Sequence, residues 1–160
     1  MRYIGALAVF FAVFLVWKSY CAYLDERRVY SLAFLRAITD YRDKMRCYLI
    51  SPSEWARGFR DESLLGVGFL ERVTAGETFI SAYRAVADKL SLPSDVDEVL
   101  GDYFGRLGDG YLESELEILE SAIGRLESMT RSISDDMPKR QKAVGALLGA
   151  CAVGTVILII

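Results

Sequence analysis

Two apolar blocks at the ends of the chain constrain everything between them. Residues 4–17 read IGALAVFFAVFLVW and residues 143–160 read AVGALLGACAVGTVILII. Each is close to the roughly 18–20 apolar residues that a helix, rising about 1.5 Å per residue, needs to cross a bilayer. They hold most of the excess behind a hydrophobic fraction of 52% in a chain of 160 residues. Residues 18–142 between them are charged and numerous enough to bury a core of their own. The expected layout is a transmembrane anchor over 1–24, a domain over 25–137 and a second transmembrane helix over 138–160.

Lysines and arginines beside the blocks set an orientation. Lys18, Arg27 and Arg28 follow the first, while Lys139, Arg140 and Lys142 precede the second, whose far side carries no base. The positive-inside rule then places the middle domain in the cytoplasm and both termini across the membrane, with only Arg2 and the free amine pulling the other way. Arg2 ahead of an apolar run also fits the start of a signal peptide. However, Trp17-Lys18-Ser19-Tyr20 offers no small-x-small cleavage site and no lipobox precedes Cys21, so a retained anchor is expected. The competing arrangement is an exported, membrane-tethered sensor or binding domain with a cleaved N-terminus.

The middle of the chain is read from its periodicity. Val29, Leu32, Leu35, Ile38, Tyr41, Met45, Tyr48 and Leu49 recur mostly three or four apart, which predicts an amphipathic helix over 25–50. SPSE at 51–54 combines a capping serine, a proline at the first helical position and a glutamate three residues after the cap, opening a short helix. ESLLGVGFLERV (62–73) reads as a third helix, its Gly66 and Gly68 taken as points of close packing. TAGE at 74–77 offers a second capping box for a helix to Leu90, and Ser94 after Pro93 is expected to cap a fifth. The sixth has Leu112, Leu116, Leu119, Ile123, Leu126, Thr130 and Ile133 alternating four and three apart, and should kink or stop at Pro138. No segment has strand periodicity. The fold class is therefore all-α: a six-helix bundle between an N-terminal and a C-terminal transmembrane helix.

Chemistry is conspicuously sparse. There is no histidine, and Cys21, Cys47 and Cys151 are scattered with no CxxC, so neither a zinc site nor a disulfide framework is indicated. The glycine-rich stretch over 101–110 reads GxxxGxxGxG; it follows a helix, lacks the Walker lysine and sits among Asp102, Asp109 and Glu113, which repel phosphate. The acidic run from Glu113 to Glu120 lacks the histidines of a diiron bundle, and serine or cysteine nucleophiles lack an imidazole base. No catalytic residue, cofactor or metal is assigned; an enzyme working through carboxylates alone is the least supported class. A net charge of −3 gives no reason to expect a nucleic-acid partner.

Charge is polarised, with bases in excess from Arg27 to Arg60 and acids from Asp95 to Asp136. This marks Arg42 and Arg46, and Glu113 and Glu117, as candidate docking faces. Gly145 and Gly149 form a GxxxG in the last apolar block, a candidate helix-packing face toward the first span or toward another copy in a homo-oligomer.

The stretch VLGDYFGRLGDGYLESELEILESAIGRLE, then a basic break and KAVGALLGACAVGTVILII, resembles the stage III sporulation protein AB family of endospore-forming bacteria. The N-terminal span, the helix ending in YLISPSEWARGF and the segment GETFISAYRAVADKL fit the family's pattern as well, so the resemblance covers nearly the whole chain. Its sharpest motif is the helix joint at Gly105, Leu107 and Gly108. Where the family usually shows an Asp and later a Gln, this chain has Tyr111 and Glu115. The resemblance implies a cytoplasmic domain like that of the type II secretion platform F family. It further implies a scaffold on the mother-cell side of the channel joining mother cell and forespore, beside a secretion ATPase resembling stage III sporulation protein AA. It carries no catalytic residue.

Overall fold

The computed structural model describes residues 2–107 and 111–159, and among them it is all-helical. Helix α1 runs over Arg2–Tyr48, α2 over Pro52–Gly58, α3 over Glu62–Gly66, α4 over Phe69–Thr74, α5 over Phe79–Ala87, α6 over Ser94–Arg106 and α7 over Leu112–Ile159. The chain divides into two compact units. Met1–Glu26 and Ser132–Ile160 make up one, and Arg27–Arg131, called the bundle below, the other.

α1 is one uninterrupted helix of 47 residues. The expected separation into a span and a second helix from residue 25 does not occur. Residues 18–48 contain neither glycine nor proline, so nothing in that stretch stops a helix once it has started. Ser31 and Thr39 donate their hydroxyls to the carbonyls of Arg27 and Leu35, each at 2.8 Å, and so satisfy themselves within the helix. α7 likewise spans 48 residues with Pro138 inside it, and the expected stop there is not found. Proline removes the one amide that would reach the Ser134 carbonyl, but helix-forming neighbours on both sides carry the ladder past it.

The core of the bundle is aromatic. Phe34 is fully buried, with ring centroids 5.3 Å from Phe69, 5.6 Å from Tyr83 and 6.2 Å from Phe104, all edge-on. Tyr41 meets Trp55 at 5.5 Å and Phe79 at 5.0 Å, so rings from α1, α2, α4, α5 and α6 form a single network. The buried stripe of α1 is Phe34, Ala37, Ile38, Tyr41 and Met45; Leu32 and Leu35 are only half-buried, and Tyr48 and Leu49 project into solvent. From α7, Leu119, Ile123, Leu126 and Thr130 are buried, as the heptad pattern predicts, whereas Leu112 at its start is exposed. Polar ties frame the rings. The Trp55 indole donates to Asp40 at 2.8 Å, and Lys44 pairs with the same carboxylate oxygen at 2.9 Å. Asp61 accepts from the amides of Ser63 and Leu64, capping α3, and binds Arg36 of α1 at 2.9 Å.

The short helices show how local chemistry places the ends. Ser51 and Glu54 form the expected capping box ahead of α2. The serine's side chain and amide hold the Glu54 carboxyl below its usual range. TAGE, in contrast, ends a helix instead of starting one. Gly76, at φ +95, lets the amide of Glu77 reach the Arg72 carbonyl and its own amide reach Val73, closing α4 in a Schellman motif. Thr78 then caps α5 by accepting from Ser81. Ser94 is the first residue of α6, and Pro93 occupies the cap.

Residues 62–73 are two helices, not one, because Gly68 adopts φ +83. Neither Gly66 nor Gly68 packs closely: a Cβ at either would meet nothing within 4 Å. The two should respond oppositely to alanine. Gly66→Ala, in a helical backbone, should gain about 0.5–1 kcal/mol. Gly68→Ala should lose about 1 kcal/mol, since a left-handed backbone costs a side chain roughly 1–2 kcal/mol, partly offset in the unfolded state. Paired urea melts check the sign reversal.

Candidate functional site

α1 is long and apolar enough to cross a membrane. Its first half exposes Leu7, Phe11, Phe14 and Val16, which are 73, 61, 53 and 57% accessible. In water such a surface is costly, and in lipid it is favourable. In the unit built from the two chain ends, a Cβ at Gly145 would come within 3.2 Å of Trp17 Nε1. Gly145 therefore seats the indole. Gly149, one turn on, faces open space, and Ala152 is buried.

The remaining sequence-derived positions are dispersed. Gly105 lies in the last turn of α6 with no atom near its missing Cβ, and Leu107 ends the helix in extended backbone at φ −77, ψ 129. Gly108, with Asp109 and Gly110, lies outside the described residues. Arg42 is turned onto its neighbour Asp43 through Nε at 2.8 Å and a terminal nitrogen at 2.7 Å. Arg46 and Glu113 are exposed. Glu117 lines a recess between α6 and α7.

That recess, about 280 Å³, adjoins a larger one of about 580 Å³ between α5 and α6; Asp102 and Arg125 belong to both. The larger is walled by Tyr83 and Arg84 from α5 and by Asp97, Glu98 and Asp102 from α6, with Ala87 and Gly101 leaving space between. Sequence reasoning passed over Arg84, Glu98 and Arg125. The available signal was spacing: Ile80, Arg84 and Ala87 fall three or four apart, and the pair Asp97 and Glu98 is followed one turn later by the pair Gly101 and Asp102, each set on the flank of an amphipathic helix.

Tyr83 lines the larger recess and Tyr103 the smaller, and both are buried, as is Tyr41 in the aromatic core. Tyr83 donates its hydroxyl to Asp97. Burial, then that bond and the Asp97 charge, push its ionisation far above the ordinary tyrosine range. Tyr103 is raised chiefly by burial, and its hydroxyl has no hydrogen-bond partner among the described residues. Tyr41 is pushed up to about 12 by burial and by the charge of Glu115. A tyrosine that ionises later when folded than when unfolded stabilises the fold fully below pH about 10 and loses that contribution as pH climbs through its folded value. Tyr41 alone should forfeit up to about 2 kcal/mol by pH about 12, after allowance for solvent screening. An alkaline titration should show tyrosinate absorbance from these three rings appearing late and together with loss of near-ultraviolet dichroism; early, independent ionisation would contradict it.

No family model matches the sequence, and neither does any curated protein. The structure is similar to a solved structure of stage III sporulation protein AB, with a TM-score of 0.52 at 18% identity over 69% of this chain and 93% of that one. The chain has the stage III sporulation protein AB fold.

Proposed function

We propose that this chain is a non-enzymatic membrane scaffold of the mother cell–forespore channel complex in sporulation. The observation that carries the reading is the shared fold, which extends over 93% of the solved sporulation protein, joined to a helix able to span a membrane. Two spans anchor the protein, the second being the C-terminal block at the end of α7. Lys18, Arg27, Arg28, Lys139, Arg140 and Lys142 keep the bundle on the cytoplasmic, mother-cell side. There the bundle, similar to the F domain of type II secretion platforms, docks a secretion ATPase like stage III sporulation protein AA or other channel subunits. It uses no cofactor and binds no nucleic acid.

Deleting the gene in its endospore-forming host tests the reading. Spore formation should stop, and a copy expressed only in the mother cell should restore it. Spores at the parental yield, or rescue only from the forespore, would overturn the proposal.

A further inference from the structure

We propose that the furrow across α5, α6 and α7 seats a mixed-charge helical segment of a partner protein, with carboxylates of that segment bound by Arg84 and Arg125. The two recesses share Asp102 and Arg125, so they adjoin along α6, and together they make up the furrow. Its charges are not equally available. Asp97 is occupied by the Tyr83 hydroxyl, and Asp102 lies 3.8 Å from Arg106. Arg84, Arg125, Glu98 and Glu117 line the furrow with no ion pair or side-chain hydrogen bond among the described residues.

Two free guanidiniums, one from α5 and one from α7, line the larger recess together with Gly101, which has no neighbour within 4 Å of a Cβ position. A guanidinium presents a planar fork of donors that matches a carboxylate. Polyanions fit poorly, because Asp97, Glu98 and Asp102 outnumber the two arginines in the larger recess. That lining repels nucleic acid, phosphate and an anionic membrane surface. A protein helix with carboxylates interleaved with cations satisfies both signs, its cations reaching Glu98 and Glu117. The gap left by Ala87 and Gly101 suits the side-chain ridge of such a helix. An interface made this way is polar, selective by charge pattern and sensitive to salt.

The inference rests on the reading that the bundle docks a secretion ATPase, and that ATPase from the same host is the probe. The full chain in lipid nanodiscs is titrated with it at low and at high salt. The double variant R84E/R125E and, separately, G101W, which fills the larger recess, should each weaken binding by at least about tenfold while leaving the melting temperature unchanged. The double variant R84K/R125K, which keeps the charge and loses the fork, should fall between. Added salt should weaken the parent more than R84E/R125E. Binding by the parent with no loss in either variant overturns the furrow assignment and leaves the ATPase reading standing. No binding by the parent at either salt removes the ATPase reading and the furrow assignment with it.

Discussion

Phe34→Ala should destabilise the bundle by about 3–5 kcal/mol, the range for truncating a buried phenylalanine. Phe34 is fully buried, and its edge contacts reach rings on three other helices, α4, α5 and α6. Beyond buried area, aromatic pairs of this geometry contribute about 0.5–1.5 kcal/mol each, so alanine removes both the filling and the orientation of the network. Against a typical domain stability of about 5–15 kcal/mol, that is a large share of what holds α1 to the short helices. Phe34→Leu keeps most of the volume and should cost only about 1–2 kcal/mol. Because Phe34 and Phe104 touch, the double variant F34L/F104L should depart from additivity. Denaturant melts of the full chain in detergent, followed by near-ultraviolet dichroism of the rings, measure these variants together with Phe104→Leu, which completes the cycle. A loss below about 1 kcal/mol for Phe34→Ala would mean that the cluster fills space without organising the bundle.

Where sequence reading succeeded, the signal was local and redundant. Ser51, Pro52 and Glu54 each favour the same helix start, and the structure shows the complete capping box. The α7 heptads likewise repeat one instruction over several turns, and Leu119, Ile123 and Leu126 are all buried. Failures arose where one residue carries two meanings. Glycine inside an apolar run can permit close packing or break a helix, and only the backbone angle separates them; at Gly68 that angle is φ +83. TAGE offers both a threonine–glutamate capping spacing and a glycine able to close the preceding helix, and Gly76 at φ +95 decides for closure.

Longer range accounts for the rest. The periodicity of α1 identified Ile38, Tyr41 and Met45 but passed over Phe34, whose burial depends on rings supplied by residues 69, 83 and 104. Pro138 is locally a helix breaker, yet α7 continues through it because the flanking residues outweigh one missing amide. The furrow was illegible for the same reason. Arg84 and Arg125 are 41 positions apart, and only the packing of α5, α6 and α7 makes them walls of one recess.

Lysine at both Phe11 and Phe14 should leave the chain in the membrane fraction, whereas adding lysine at Leu147 and Val153 should release it. These four side chains are 61, 53, 67 and 52% accessible, so charging them disturbs lipid contact before protein packing. A lysine near the centre of a spanning helix costs about 2.5–3.5 kcal/mol on insertion, so a pair opposes each segment by roughly 5–7 kcal/mol. That is enough to keep the charged segment out of the bilayer, and the other segment then decides the outcome. With two spans, either pair alone leaves one anchor intact, and only the quadruple variant becomes soluble after alkaline carbonate extraction. If F11K/F14K alone releases the protein, α1 is its single anchor and residues 143–160 do not hold it. The positive-inside argument for the bundle would then rest on Lys18, Arg27 and Arg28 against Arg2, because Lys139, Arg140 and Lys142 would no longer flank a span.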